Sequence, residues 1–191
     1  MKNGISVKEI EGISKYLIGK QERFDSVMSG SRDIIRSASL IITALHNNDA
    51  KRYRGGMAEI RKLVKSLRQT DSDYRYHTLQ AYQEFVEASV LFDIKTKGSV
   101  PSCNDLKVEP EAYLLGIMDA VGELKREVID ALRRGRVKDA ERYYNTMSDI
   151  YDSTRGIRFA ESVLNGFRRK QDVARMQIES AASSLLSFKM K

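Results

Sequence analysis

The sequence predicts an all-α protein: a single-domain antiparallel helical bundle of about seven helices spanning residues 1–191. Three observations carry this expectation. Apolar residues recur at three- and four-residue spacing along almost the whole chain. Strand-like alternation is nowhere convincing. With 2 prolines and 12 glycines in 191 residues, little interrupts long helices. A chain of this length can bury one sizeable core. Its 41% hydrophobic and 31% charged residues are the balance of a folded protein, not a disordered one.

The elements follow in order. Ser6-Val7-Lys8-Glu9 has the form of a capping box, so a short helix is expected to start there and end near Gly19. From Gln21 onward Phe24, Val27, Met28, Ile34, Ile35, Ala38, Ile41, Ile42 and Leu45 draw one stripe. His46-Asn47-Asn48-Asp49 interrupts it and can cap the next helix. That helix carries Tyr53, Met57, Ile60, Val64 and Leu67, and breaks at Thr70-Asp71-Ser72-Asp73. Another runs from about Tyr74 to Lys97, with Gly98 as its stop. Gly98 to Glu109 is a loop, and Pro110 suits the first turn of the following helix, where its missing N–H costs nothing. Leu114, Ile117, Met118, Val121, Leu124, Val128 and Leu132 form the stripe of that helix, which ends at Gly135. A helix over Val137 to about Arg155 and a last one running to the C-terminus complete the chain, with their boundary between Gly156 and Gly166. Tyr143, Tyr144, Ile150, Tyr151 and Phe159 exceed what one bundle is expected to bury, which points to oligomerisation.

Composition narrows the function classes. The single Cys103 cannot form an internal disulfide. Met1 to Gly12 carries charge throughout and has no apolar signal core. The densest apolar run, Ala38 to Leu45, is too short to span a bilayer. The expectation is a cytoplasmic protein with no membrane partner. An excess of 33 Lys+Arg over 26 Asp+Glu, a net charge of +7, favours a polyanionic partner, nucleic acid before membrane.

Most acidic residues on the helices have a basic residue three or four positions away: Glu59 has Lys62, Asp93 has Lys97, and Asp139 has Arg142. Glu84 and Glu87 have only each other and uncharged residues at those spacings, and Asp119 has only Glu123. Each couple places like charges on one helix face, at a cost of about 0.2–0.5 kcal/mol. A hard divalent cation reverses that cost, because it takes oxygen ligands, and two helices with two carboxylates each can supply them. Against this stands the plainer alternative of solvated helix surface. The only histidines, His46 and His77, do not follow a glutamate by three residues, which disfavours a di-iron bundle. Zinc sites and a Ser-His-Asp triad lack residues as well.

Two segments have a specific resemblance. Gln83-Glu84-Phe85-Val86-Glu87-Ala88, continuing to Asp93-Ile94-Lys95-Thr96, resembles the QEYVEA…IKT stretch of TRAX proteins. Tyr113 to Arg126, reading YLLGIMDAVGELKR, is similar to the signature DYLLGVxDLxGELxR of the translin/TRAX family. Weaker likeness in Glu22-Arg23, Ser31 to Ile34 and Ile150-Tyr151-Asp152 extends it over nearly the whole chain. The resemblance implies a seven-helix protein assembling into a hollow oligomer and binding single-stranded RNA or DNA. On the TRAX side it implies a Mg²⁺- or Mn²⁺-dependent endoribonuclease. The family's acidic residues fall on Glu84, Glu87 and Asp119, with Glu123 beside them, as metal ligands and catalytic residues. Arg75, His77, Lys125 and Arg126 are the candidates for RNA contacts. Unlike the longer eukaryotic TRAX pattern, the chain has no extended basic N-terminal segment and a short loop at Gly98–Glu109, as in a short prokaryotic-type version. That favours a homo-oligomer over nuclear targeting and a separate translin partner. Two rivals remain: a translin-like RNA- or DNA-binding protein without turnover, and a purely structural helical scaffold.

Gly116 and Gly122 sit inside the predicted helix, where a glycine costs about 0.8–1.0 kcal/mol relative to alanine. Close approach of another helix, or of a phosphate backbone, would account for them.

Overall fold

The computed structural model describes residues 6–190, and among them there are helices and turns but no strand. In chain order the helices are α1 (Val7–His46), α2 (Ala50–Leu67), α3 (Arg75–Lys97), the single turn α4 (Cys103–Leu106), α5 (Pro110–Arg133), α6 (Val137–Thr154) and α7 (Phe167–Lys189). None of the described helices is long and apolar enough to cross a membrane. The first five residues of the segment screened for a signal peptide, and Lys191 at the end of the last predicted helix, lie outside the described residues.

The stops and starts show how the sequence sets these boundaries. Asn48 takes a left-handed conformation (φ 56°), and Asp49 then caps α2 by accepting from the Arg52 backbone N–H. Gly98 closes α3 at φ 75°, its N–H reaching back to the carbonyls of Asp93 and Ile94. The loop that follows holds one turn of helix, α4, fixed by a capping box between Ser102 and Asp105. Pro110 opens α5 as expected. Residues 155–166 are non-helical, turns flanking a short irregular stretch, and α7 begins after Gly166 at φ 75°.

The start of the chain differs from expectation in two ways. The helix predicted to end near Gly19 does not end: α1 is continuous for 40 residues. Gly19 weakens its turn, but neither a proline nor a left-handed residue is present there to stop the ladder. The capping box at Ser6 does not form either, since Ser6 makes no side-chain cap bond.

α3 and α5 lie against each other at the centre. α1 packs on α3, α2 covers α1, and α6 and α7 cover the other side of α5. α3 is accordingly buried nearly all round, through Ala81, Phe85, Val86, Ala88, Val90, Leu91 and Ile94. The α3–α5 contact is as close as backbones allow. A Cβ added at Gly116 would stand 2.6 Å from the Gln83 carbonyl oxygen and 2.6 Å from Val86 Cβ. Close packing is therefore the reason for that mid-helix glycine.

The surplus of apolar side chains also lies elsewhere than the sequence suggested. Tyr143 and Ile150 are core residues, Tyr144 and Tyr151 pack partly against the core, and only Phe159 is exposed. A run of exposed apolar residues lies instead at the start of α1, at Val7, Ile10, Ile13, Tyr16, Leu17 and Ile18, with others spread over the molecule, among them Leu186, Phe188 and Met190 at its C-terminal end. The first ties of α1 to the bundle come at Lys20, whose carbonyl accepts from the Tyr74 hydroxyl, and at Phe24, edge-on to Tyr74. Residues 7–19 thus extend past the bundle by about 20 Å of helix.

Candidate active site: an acidic cleft on three helices

The close α3–α5 contact sets two carboxylate couples side by side. α3 presents Glu84 and Glu87 and α5 presents Asp119 and Glu123. The first half of α7 adds Arg169, Lys170, Val173 and Gln177. Together with Gln83, Met118, Gly122 and Gly166 they line one cleft of ≈ 610 Å³. All four acidic residues singled out from the sequence therefore share a single concavity.

Their immediate partners differ. Asp119, which has no cation within its own helical turns, receives one from elsewhere: the Lys170 ammonium donates to its Oδ1, and the Gln83 amide donates to its Oδ2 at 2.5 Å. Glu123 accepts from His46 Nε2 at 2.5 Å, with the Arg126 guanidinium 3.9 Å away. Glu84 and Glu87 accept no hydrogen bond and make no ion pair among the described residues. Burial, and then the charges of Asp119, Glu84 and Glu123, push the Glu87 carboxyl up to about 8, with Lys170 only partly opposing them. Glu84 is raised too, first by burial and then by Asp119. At neutral pH the cleft holds on to a proton that an ordinary glutamate would release.

Behind the cleft lies a second cluster that sequence reasoning did not find. His46, the last residue of α1, stands between two glutamates of α5: Nε2 on Glu123 Oε2 and Nδ1 on Glu127 Oε1 at 2.7 Å. Its side chain is 8% exposed and that of Glu127 3%. Lys95 of α3 completes the cluster, donating to both oxygens of Glu127 at 3.3 Å and to the Leu45 carbonyl at 2.5 Å. Carboxylates only accept, so both ring nitrogens must donate and His46 is an imidazolium here. Burial by itself would lower its pKa, but the bonds to Glu123 and Glu127 outweigh burial and raise it. Glu123 is lowered, chiefly by its bond from His46 and against burial. Glu127 is lowered as well, because His46 and Lys95 together overcome the largest single influence, its burial.

The four residues proposed for RNA contacts fall into two places. Lys125 and Arg126 line a groove with His46, Asn47, Ile129, Asp130, Arg133 and Arg134, and this groove shares Gly122 with the acidic cleft. Arg75 and His77 lie at the start of α3, away from it. Arg75 is paired with Glu109 at 2.8 Å, and His77 meets Phe24 and Tyr76 edge-on. Gly122 borders α7, where an added Cβ would lie 3.2 Å from the tip of the Gln177 side chain.

The donor set suits a hard divalent ion, being all oxygen, partly buried and short of positive charge. The carboxylates do not converge as they stand. Among the described residues no three of His, Cys, Asp or Glu are grouped closely enough to hold an ion, because Asp119 is turned to Lys170 and Glu123 to His46.

Comparison with known proteins follows the same architecture. The family model described as Translin family matches residues 6–183. An uncharacterized protein of Methanocaldococcus jannaschii is 30% identical over 188 residues, covering 96% of this chain and 84% of that protein. Two similar solved structures are AfC3PO, 29% identical with TM-score 0.85, and AfC3PO in complex with duplex RNA, 28% identical with TM-score 0.85. Each covers 95% of this chain and 97% of its own. The crystal structure of apo-NeC3PO has the same fold, with TM-score 0.87 at 19% identity, over 97% of this chain and 100% of that one.

Proposed function

The chain belongs to the Translin family, and from that premise we propose that it is a cytoplasmic, divalent-metal-dependent endoribonuclease of the TRAX type that cuts single-stranded RNA as a homo-oligomer. The observation that carries the proposal is the cleft, which four carboxylates from two central helices line together, Glu84 and Glu87 among them with no ion-pair partner among the described residues. Glu84, Glu87, Asp119 and Glu123 would hold one or two Mg²⁺ or Mn²⁺ ions. A bound ion supplies Lewis acidity, polarising a phosphate and lowering the pKa of an attacking water. The chain's own residues do the rest. Glu87 must give up its proton to become a ligand. Lys170 and Arg169, on the α7 wall, are placed to meet phosphate charge. Lys125, Arg126, Arg133 and Arg134 offer a basic track beside the cleft for the strand to follow. That a similar structure, AfC3PO, is a duplex RNA complex supports RNA as the ligand. The exposed apolar face of α1 supports the oligomer. Light scattering should give a mass several-fold above 21.7 kDa.

The deciding experiment substitutes the carboxylates neutrally. Glu84→Gln, Glu87→Gln and Asp119→Asn should each abolish Mg²⁺-dependent cleavage of single-stranded RNA, while folding and RNA binding persist. Undiminished cleavage by the Glu87→Gln protein, beside an EDTA-sensitive wild type, ends the proposal. A second reading has an observation of its own: because Asp119 is already held by Lys170 and, among the described residues, no three carboxylates converge, the cleft suits a protein that binds RNA without cutting it. Salt-sensitive RNA binding with no EDTA-sensitive turnover would favour that reading.

A further inference from the structure

We infer that His46 is a positioning residue for the cleft: braced by Glu127 at Nδ1, its ring donates from Nε2 to Glu123 and fixes which oxygen of Glu123 is left for a cation. The inference rests on the proposal that the cleft carboxylates hold a divalent ion, and extends it to a residue outside the cleft. His46 lines the basic groove and Glu123 the acidic cleft, so their bond crosses the seam between the two.

The geometry is that of a brace. Both His46 and Arg126 approach Glu123 at Oε2, and Oε1 accepts no hydrogen bond from the protein among the described residues. Glutamate has three rotatable bonds, and a carboxylate left free would sample several rotamers. One oxygen pinned from behind leaves the other with a defined place on the cleft wall. His46 cannot swing away, because its second nitrogen is held by Glu127. Glu127 is in turn fixed by Lys95, which also ties down the last turn of α1 through the Leu45 carbonyl. The chain of contacts joins α1, α3 and α5, and only its end, Glu123, reaches the cleft. Groups that orient a metal's ligands from behind change affinity by about 10–100-fold when removed.

A merely structural role for His46 makes a different prediction, and the amide side chains separate the two. A glutamine at position 46 can place its side-chain nitrogen near the imidazole Nε2 and keep the donor to Glu123. An asparagine can place its nitrogen near Nδ1, keeping the donor to Glu127 and releasing Glu123. Mn²⁺ binding to the full-length protein is measured by titration calorimetry for wild type, His46→Gln and His46→Asn. Thermal melting is recorded for each, and all are repeated in a Glu127→Gln background, so that neither variant leaves an ionised Glu127 without its imidazolium. His46→Gln should bind Mn²⁺ within a few-fold of wild type. His46→Asn should bind about tenfold more weakly or worse, at similar melting temperature. In cleavage assays His46→Asn should lose kcat with KM for RNA unchanged, and raised Mn²⁺ should restore it. Equal Mn²⁺ affinity in wild type and both variants, or equal losses in both, overturns the inference while leaving the cation site standing. A wild type with no saturable Mn²⁺ binding removes the cation site itself, and the inference with it.

Discussion

Two pairs of glutamates in this protein share a local pattern and have opposite surroundings. Glu84 and Glu87 on α3, and Glu123 and Glu127 on α5, are each two like charges on one helix face, partly or fully out of water. On α3 burial and neighbouring acids push the carboxyls up, Glu87 to about 8. On α5 both are held low, because His46 arrives between them from the end of α1 and Lys95 arrives from α3. The spacing of acids along a helix sets up a charge problem, and what the rest of the fold brings to it decides the outcome. One pair is completed by the protein. The other has no hydrogen-bonded or ion-paired partner among the described residues.

His46 is the residue that most separates the two pairs. Replacing it with alanine strands Glu127 in the core with only Lys95 as counter-charge, and losing one partner of a buried ionic cluster costs about 3–5 kcal/mol. For a chain of this length each kcal/mol is roughly 2–4 °C, so His46→Ala should melt on the order of 10 °C below wild type. Glu84→Gln, which strands nothing, should melt at or slightly above wild type. If His46→Ala melts with wild type, the cluster is not buried in solution and the contrast between the two pairs is lost.

A smaller loss is expected at Gly116, where both regions depend on the same α3–α5 contact. An alanine there would drive its Cβ against the Gln83 carbonyl and Val86, backbone and branch point, neither of which can swing aside. Overpacking of this kind costs about 1–3 kcal/mol. Because the helices must part, the Mn²⁺-induced rise in melting temperature should shrink in Gly116→Ala as well. A full metal response in a destabilised variant would show that the cleft tolerates a shift of its walls.

Much of this was legible in the sequence, and the part that was not has a physical reason. Apart from the single turn α4, which lies in what reads as a loop, the helices after α1, their stops at Gly98 and Gly135, and the four carboxylates of the cleft all follow from periodicity and local spacing. The break at Gly19 was misplaced because a glycine lowers helix propensity without ending a helix, and nothing local distinguishes the two. His46 reads as part of a polar interruption, since nothing around it shows that it will meet Glu123, 77 residues on. Asp119 reads as unpartnered because its cation, Lys170, comes from a helix 51 residues away. Partners brought together by packing carry no periodic signal.

The proton held by Glu87 gives the contrast a pH signature. A carboxyl raised from 4.5 to about 8 keeps its stabilising proton below 4.5 and loses it as pH rises through 8. His46, also raised, contributes fully below 6.5 and less above its folded value, whereas Glu123 and Glu127, lowered, lose their contribution only as pH falls below 4.5. Together these groups place maximal stability at acid-to-neutral pH. Glu87→Gln mimics the protonated side chain, so it should melt with wild type near pH 5 and a few degrees above it near pH 9. Metal should reverse the trend, with Mn²⁺ stabilising wild type more at pH 8 than at pH 6, because a ligand must first lose its proton. A constant gap between the two proteins across this range would mean that Glu87 titrates as an ordinary glutamate.

The smallest effect is expected at Gly122, the residue at which the acidic cleft and the basic groove meet. Like Gly116 it lies inside α5, and by helix propensity alone an alanine there would gain about 0.8–1.0 kcal/mol. The new Cβ would stand 3.2 Å from Gln177 Nε2 and 3.3 Å from its Oε1, but these are the far end of a flexible side chain on α7 that is free to turn toward the cleft. Crowding and propensity should nearly cancel, leaving Gly122→Ala within about 1 kcal/mol of wild type, a few degrees at most. The two glycines occupy the same helix with the same local cost, so their difference isolates what faces them: backbone at one, a movable amide at the other. Should Gly122→Ala melt as low as Gly116→Ala, Gln177 is held as rigidly as a main chain, and the α7 wall of the cleft is fixed rather than adjustable.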